Sequence, residues 1–567
     1  MLLILLSWIF IFMTTLIVGV SIKQFLRLYD LDVVATLFLG LFGITLFTGF
    51  WAIFLAVNET FQIMLLLMSC LLLYDNKAAI TQELMGLKSN FANLSLFFKG
   101  IFIVLLILSL AQCASPSFVI DNESYYIQTI KWLNNHGFVK GLTNLHVFLG
   151  QTSGWHILQS AFNFSFIYNA LNDISGFCLL LGNFYAIVRL NTYMKASKKD
   201  DVDLIVGLFP LFNVFFFQFI GAPSADIAIY VVSLLVFHHF IKCFLTYDRV
   251  TFLTVVILSI FAALIKLTGS FLFILSIVLC VKYYSKAKKT ASVLSLTGAL
   301  TLLLIVIKNT IVTGNVFYPF AGIESLSTSW SLPKAVTTYM SNYSKASAFG
   351  LTYEAYENAS MLELFKNWFS LPKLHGILNK SMVLLLVVFP FAIWKLKSKK
   401  ALYLIYGLSL FTLLILFSIS PQYRFFFPYF ILQLLVCISL FLKRKLLIKL
   451  AFGFAVISTS IPLLHPMDNS SLTNTRYHES SSTFSIDHLI LPSKNTRFST
   501  NFETISIGNL ELNAPTEIDF FWGTGDIPLP ALNEQQLDYF STYFNIIPQQ
   551  KGETLKEGFY SKNLLDE

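Results

Sequence analysis

Charge is what this sequence has least of. Only 12% of its 567 residues are Asp, Glu, Lys or Arg, roughly half the share usual in a water-soluble domain. That scarcity excludes an ordinary soluble fold. Cysteine is sparse as well: Cys70, Cys113, Cys178, Cys243, Cys280 and Cys437 lie within apolar runs or at their ends. They read as small buried hydrophobes and offer neither a disulfide framework nor a redox motif. No His-x-x-x-His or His-x-x-Glu-His pattern occurs, which argues against a zinc site. A phosphate-binding glycine loop, a nucleophile elbow, internal repeats and low-complexity tracts are also missing.

What is abundant is hydrocarbon. Hydrophobic residues make up 56% of the chain, with 58 phenylalanines and 24 tyrosines suited to lipid-facing surfaces and interfacial belts. The apolar runs predict an all-α polytopic membrane protein of about 14 transmembrane helices, at about 1–22, 33–57, 61–74, 100–114, 166–190, 204–220, 226–246, 250–264, 267–281, 291–307, 380–394, 401–419, 425–442 and 446–464. The first run lacks a basic leader and a small-residue cleavage site and reads as a retained span.

Basic residues set the orientation. They cluster in alternate loops: Lys23 and Arg27; Lys77 and Lys88; Lys195, Lys198 and Lys199; Lys242 and Arg249; Lys282 to Lys289; Lys395 to Lys400; Lys443 to Lys445. Those loops are expected inside, which turns outward the loops at 115–165, 221–225, 308–379 and 420–424 and the tail. Residues 1–464 then form the transmembrane domain and 465–567 an outward-facing soluble tail. The tail holds fourteen Asp/Glu against six Lys/Arg, a net of −8, so the membrane body carries +16. Because that positive charge is dispersed over short inner loops, it serves topology and anionic lipid contact, not nucleic acid. Alternation at Thr504–Ile507 and Leu510–Leu512, with turns at Gly523–Gly525, predicts a small α/β or β-rich appendage, and 466–482 reads as a linker.

The unusual polar residues fall in the outward segments. Asp121 and Glu123 stand just after the fourth span, followed by Ile127, Ile130, Trp132 and Leu133, a stripe suited to lying on the bilayer surface. Here two carboxylates would meet the headgroup of a lipid-borne substrate; the alternative is a capped helix start. Asn144, His146 and His156 are threaded between apolar residues, either contacting substrate or serving as satisfied structural groups. Asp226 follows Pro223–Ser224 and reads either as a helix cap or as a cavity-lining acid. Lys266, Lys308 and Arg424 are outward cations at bilayer edges, placed to hold a phosphate, to pair with an acid, or (for Lys266) to snorkel. Carboxylates beside such cations suit an anionic, membrane-embedded substrate such as a polyprenyl-phosphate-linked sugar, the cations binding the leaving phosphate and a carboxylate deprotonating the acceptor hydroxyl.

The order of these parts resembles the GT-C class of membrane glycosyltransferases. More narrowly, Asp121 to His156 looks like an uncharacterised bacterial family of multi-pass proteins with GT-C-like features. Gly141 to His146 matches its Gly-Leu-x-Asn-Leu-His, Tyr125-Tyr126 stands where many relatives have Tyr-His, and Pro223 to Asp226, Gly314 to Pro319, Tyr423 to Phe425 and Trp522 to Pro530 fit the same family. The resemblance implies a glycosyltransferase of a bacterial inner membrane, inverting at the anomeric carbon. It would act on a polyprenyl-phosphate sugar donor and a saccharide, lipid or protein acceptor at the outer, periplasmic face. Asp121 would be the base, Glu123 a helper, and Lys266, Arg424, Lys308, His146, Asn144, Asp226 and Tyr126 the substrate-binding set. A divalent cation is the one cofactor the class raises, with Asp121 and Glu123 as its ligands. The rival readings are a transporter or flippase of lipid-linked saccharides, for which no repeated halves are visible, an oligosaccharide polymerase or ligase, and a non-enzymatic assembly factor.

Overall fold

Wherever this chain meets lipid, its backbone polar groups must be satisfied internally, and helices do that segment by segment. The structure, a computed structural model, describes residues 1–168, 171–320 and 328–566. In chain order its helices are α1 (Leu2–Phe25), α2 (Val33–Phe54), α3 (Glu59–Ala92), α4 (Leu96–Ala114), α5 (Ile127–His136), α6 (Gly154–Ala161) and α7 (Ile174–Lys195). There follow α8 (Asp201–Phe219), α9 (Ala225–Leu245), α10 (Arg249–Ile265), α11 (Leu267–Lys282), α12 (Tyr284–Thr313) and α13 (Lys334–Ala348). The last are α14 (Tyr353–Glu357), α15 (Met361–Ser370), α16 (Lys373–Trp394), α17 (Lys399–Ile419), α18 (Tyr423–Ser439), α19 (Lys445–Leu464) and α20 (Glu534–Phe544).

Eleven of these, among the described residues, are long and apolar enough to cross a bilayer: α1 to α4, α7 to α9, α12, α16, α17 and α19. The architecture is that of a multi-pass membrane protein. Against about fourteen expected crossings, α10, α11 and α18 are apolar but shorter. At 17 residues, α10 and α18 rise about 26 Å, less than the roughly 30 Å of hydrocarbon. The run expected at 166–190 becomes helix only from Ile174, and residues 169 and 170 within it lie outside the described set. The 204–220 run begins as α-helix and tightens into 3₁₀ turns at Phe209–Phe212, where Pro210 cannot donate to the ladder. The 61–74 run continues to Ala92, broken at Asn76 (φ −115°, ψ 17°). Beyond the break Glu83 pairs with the buried Lys23 at 2.5 Å, so Lys23 is a structural anchor as well as a topology signal.

Small residues let the first two helices touch. Gly19 lies against the Thr36 carbonyl and Gly40 against that of Thr15, so any Cβ at either place would collide with backbone. Of the cysteines, Cys113, Cys178 and Cys243 are buried, Cys280 and Cys437 half-buried, and Cys70 is exposed on α3.

The tail packs on the bundle at several points. It contains two antiparallel two-stranded sheets, β1 (Phe502–Ile507) with β2 (Leu510–Pro515), and β3 (Ile546–Gln550) with β4 (Phe559–Asn563). Ser493 N–H donates to the Ala114 carbonyl at the end of α4, and Phe559 N–H to that of Lys140. The end of the molecule that meets these residues is the tail face. The stretch 466–482, expected as a linker, is tied down: Asp468 bridges Ser480, His478 stacks on Phe118 at 4.6 Å, and the Ser482 N–H donates to Gln218 at 2.7 Å. The stripe on α5 does not lie on a bilayer. Ile127, Ile130, Trp132 and Leu133 are all buried: α6 and the segment at Val57 pack on the stripe side, where Asn134 donates to the Val57 and Ser160 carbonyls, and the tail holds the other side through Gln128 and Lys131.

Candidate functional site

Helix ends gather the charged residues. α9 and α10 form an antiparallel pair, so the first turn of α9 meets the last residue position of α10. Asp226 sits in that first turn and Lys266 caps α10, each at the terminus whose dipole favours its charge. The two side chains form an ion pair. Ser224, not Asp226, occupies the cap position, so Asp226 is free of that role. Arg424 lies in the first turn of α18, after Pro421, and its Nη1 donates to Oδ2 of Asp121 at 2.9 Å while Nε donates to Gln422 at 2.8 Å. The Phe425 ring joins the two pairs, 4.6 Å from the Lys266 ammonium and 5.2 Å from the Arg424 guanidinium. Asp121 and Arg424 keep 27% and 36% of their side-chain surface exposed, enough for a ligand oxygen to reach them.

Tyr126 backs this cluster. It is buried in a single π-helical turn, Asn122–Tyr126, with its ring 4.7 Å from those of Tyr125 and His156. Burial raises the phenols of Tyr125 and Tyr126, and the charges of Asp121 and Asp226 add to the effect on both. His156 is pushed down to about 3 by burial and by Lys308 and Lys266, and its Nε2 has no partner among the described residues. Lys308 stands behind His156 and donates to the Thr152 carbonyl at 2.6 Å. It contributes charge to the neighbourhood without joining the two ion pairs.

Three expected site residues lie elsewhere. Glu123 points away from Asp121 into the tail, where its carboxylate accepts from Thr496 Oγ1 and from the Arg497 N–H at 2.9 Å. Its own carbonyl accepts from Thr524 and Gly525. Burial raises its pKa, opposed by those hydrogen bonds. With Glu123 bound to the tail and Asp121 to Arg424, the two carboxylates do not fit a shared divalent ion. Among the described residues no group of three or more His, Cys, Asp or Glu side chains is arranged to hold a metal. His146 is a strut: Nδ1 accepts from the Phe148 N–H at 3.2 Å, which leaves Nε2–H to donate to the Trp522 carbonyl at 3.2 Å. Burial lowers it to about 4, so it stays neutral at physiological pH. Asn144 clamps three segments, donating to the carbonyls of Gly141 and Trp330 at 2.9 Å and accepting from Ser561 at 2.7 Å.

Sequence reading missed Gln422, Thr496 and Arg497, none of which carries a motif, and gave no role to Phe425 although it lies in the Tyr423–Phe425 segment. It also missed a polar interlock at the opposite end of the bundle. There Tyr185 bridges His238 and His239, whose Nε2 atoms lie 3.6 Å from Asp203 and 3.7 Å from Asp32. Adjacent histidines inside an apolar run were the available signal. A cleft of about 310 Å³ lined by Ala355, Asn358, Glu363, Lys366 and Asn367 belongs to α14 and α15 and contains none of the paired charges. No curated protein and no solved structure matches the chain. Residues 1–431, which carry all four paired charges, match the family model described as "Domain of unknown function (DUF8201)", and the chain belongs to that family.

Proposed function

We propose that this protein is a GT-C-like glycosyltransferase that moves a sugar from a polyprenyl-phosphate donor to an acceptor hydroxyl at the outer face of a bacterial inner membrane. The tail face is then periplasmic. One observation carries the reading: Asp121, Asp226, Lys266 and Arg424, spread over three hundred positions of chain, meet as two neighbouring ion pairs at helix ends. A site at the ends of apolar helices suits a substrate whose lipid stays in the bilayer and whose headgroup emerges.

In the proposed step the acceptor oxygen attacks the anomeric carbon and Asp121 takes its proton. The bond from that carbon to the phosphate oxygen breaks, and its electron pair leaves with the lipid phosphate. Arg424 and Lys266 stabilise the charge that develops there. Arg424 also orients Asp121, and Asp226 does the same for Lys266. Glu123, Asn144 and His146 hold the loop and take no part in the chemistry.

The test is a panel of radiolabelled polyprenyl-phosphate sugars presented to the purified protein with bacterial membranes as acceptor. The expected result is acceptor-dependent release of free lipid phosphate that Asp121→Asn abolishes. Movement of intact labelled donor across the bilayer, with no release of lipid phosphate, would instead establish the flippase reading.

A further inference from the structure

Among the described residues, none covers a band of apolar side chains on the tail. Ile486 is 82% exposed, and Leu489, Ile490 and Leu491 beside it are exposed too. Phe166 and, at 68%, Ile167 add to the same side from the loop between α6 and α7, where the Tyr168 hydroxyl donates to the Pro492 carbonyl at 2.8 Å.

The height of this band relative to the bundle is fixed by hydrogen bonds. The first N–H groups of a helix lack intrahelical partners, and in α1 the tail supplies them. The Met1 amine donates to the His488 carbonyl at 2.6 Å, Leu2 N–H to that of Leu489 at 2.9 Å, and Leu3 N–H to that of Ile490 at 3.1 Å. The tail segment therefore stands level with the start of a membrane-crossing helix, whose Leu2, Leu6 and Ile9 are themselves exposed. The loop reaches deeper. Phe164 packs on Phe10 at 5.3 Å and Phe166 lies 6.4 Å beyond it. Eight residues along α1 separate Phe10 from Leu2, a descent of about 12 Å.

We infer that Ile486, Leu489, Ile490 and Leu491, with Phe166 and Ile167, are a bilayer anchor beside α1, the exposed Asp487 among them lying at headgroup level, which fixes the C-terminal tail to the membrane as well as to the helix bundle. Lipid is the occupant because the band continues the lipid-facing side of α1 without a break. Lipid would remove six large apolar side chains from water beside that helix, which is favourable in proportion to the apolar area covered.

The test uses the full chain in lipid nanodiscs with its cysteines untouched. A nitroxide is attached through a ketone-bearing residue placed at Ile490 or Ile167, with reference labels at Leu6 on α1 and at the exposed Glu511 on β2. All four positions are at the surface, so the labels leave the packing intact, and the thermal melt of each labelled protein checks this. Labels at 490 and 167 should collide with dissolved oxygen and lose collision with a water-soluble nickel chelate, as at Leu6, with the reverse at Glu511. A water-like pattern at 490 and 167 overturns the inference. So does protection accompanied by spin–spin broadening between labels on separate copies, which would make the cover a second protein chain.

Discussion

Replacing Asp121 by Asn isolates what the Asp121–Arg424 contact contributes. The substitution keeps size and hydrogen-bonding shape, removes the charge, and leaves the guanidinium without its carboxylate 2.9 Å away. Fully exposed pairs are worth roughly 0–1 kcal/mol, and breaking a fully buried one costs roughly 3–5 kcal/mol. Both partners here are about a quarter to a third exposed, so screening holds the coupling to about 1–2 kcal/mol. The measurement is a double-mutant cycle of wild type, Asp121→Asn, Arg424→Gln and the double variant, followed by unfolding in mixed micelles. The double variant should be less destabilised than the sum of the singles by that amount. Transfer is measured on the same four proteins. If Asp121 is the base, Asp121→Asn should lose about 10²–10⁴ of the rate, far more than its small loss of stability explains. Strict additivity in the cycle together with wild-type transfer by Asp121→Asn would refute both the pairing and the catalytic assignment.

Lys266→Met should destabilise by about 2–4 kcal/mol by stranding Asp226, and Lys266→Met with Asp226→Asn should recover most of the loss in the same unfolding assay. Glu123 has a folded pKa raised above 4.5 by burial, so its contribution to stability is fully present below pH about 4.5 and is lost as pH climbs through the folded value. Glu123→Gln should flatten the melting temperature against pH across that window, and an unchanged profile would contradict the buried-carboxylate account. Asn144→Ala, which leaves the Ser561 hydroxyl and several carbonyls unpaired, should cost about 1–3 kcal/mol and increase proteolysis of the chain end, while Asn144→Asp should not restore it, because a carboxylate cannot donate to the Gly141 and Trp330 carbonyls. His146→Asn should alter stability without adding a pH dependence to transfer between pH 6 and 8, since the imidazole already titrates near 4.

The spanning helices were legible because uninterrupted apolar runs permit few other structures, and their errors are local: Pro210 tightens one helix and Asn76 breaks another. The pairing of Asp226 with Lys266 was half legible. Two apolar runs, 226–246 and 250–264, joined by a tight turn predict an antiparallel pair, which sets the first turn of one beside the last of the other. The α5 stripe was misread because an amphipathic helix looks the same whether lipid or protein covers it, and here α6 and the segment at Val57 cover it. The separation of Asp121 from Glu123 could have been foreseen. A spacing of two along a helical turn rotates side chains by about 200°, onto opposite sides. Gln422, Thr496 and Arg497 were beyond reach, since nothing local distinguishes them from other polar loop residues.

The bond from Phe559 to Lys140 and those from Lys556 to the His136 and Phe138 carbonyls join stretches made more than four hundred residues apart. Residues 136–140 therefore take these contacts only after the ribosome has made residues 556–559. A stop codon ahead of Lys556 would leave the His136, Phe138 and Lys140 carbonyls without these donors.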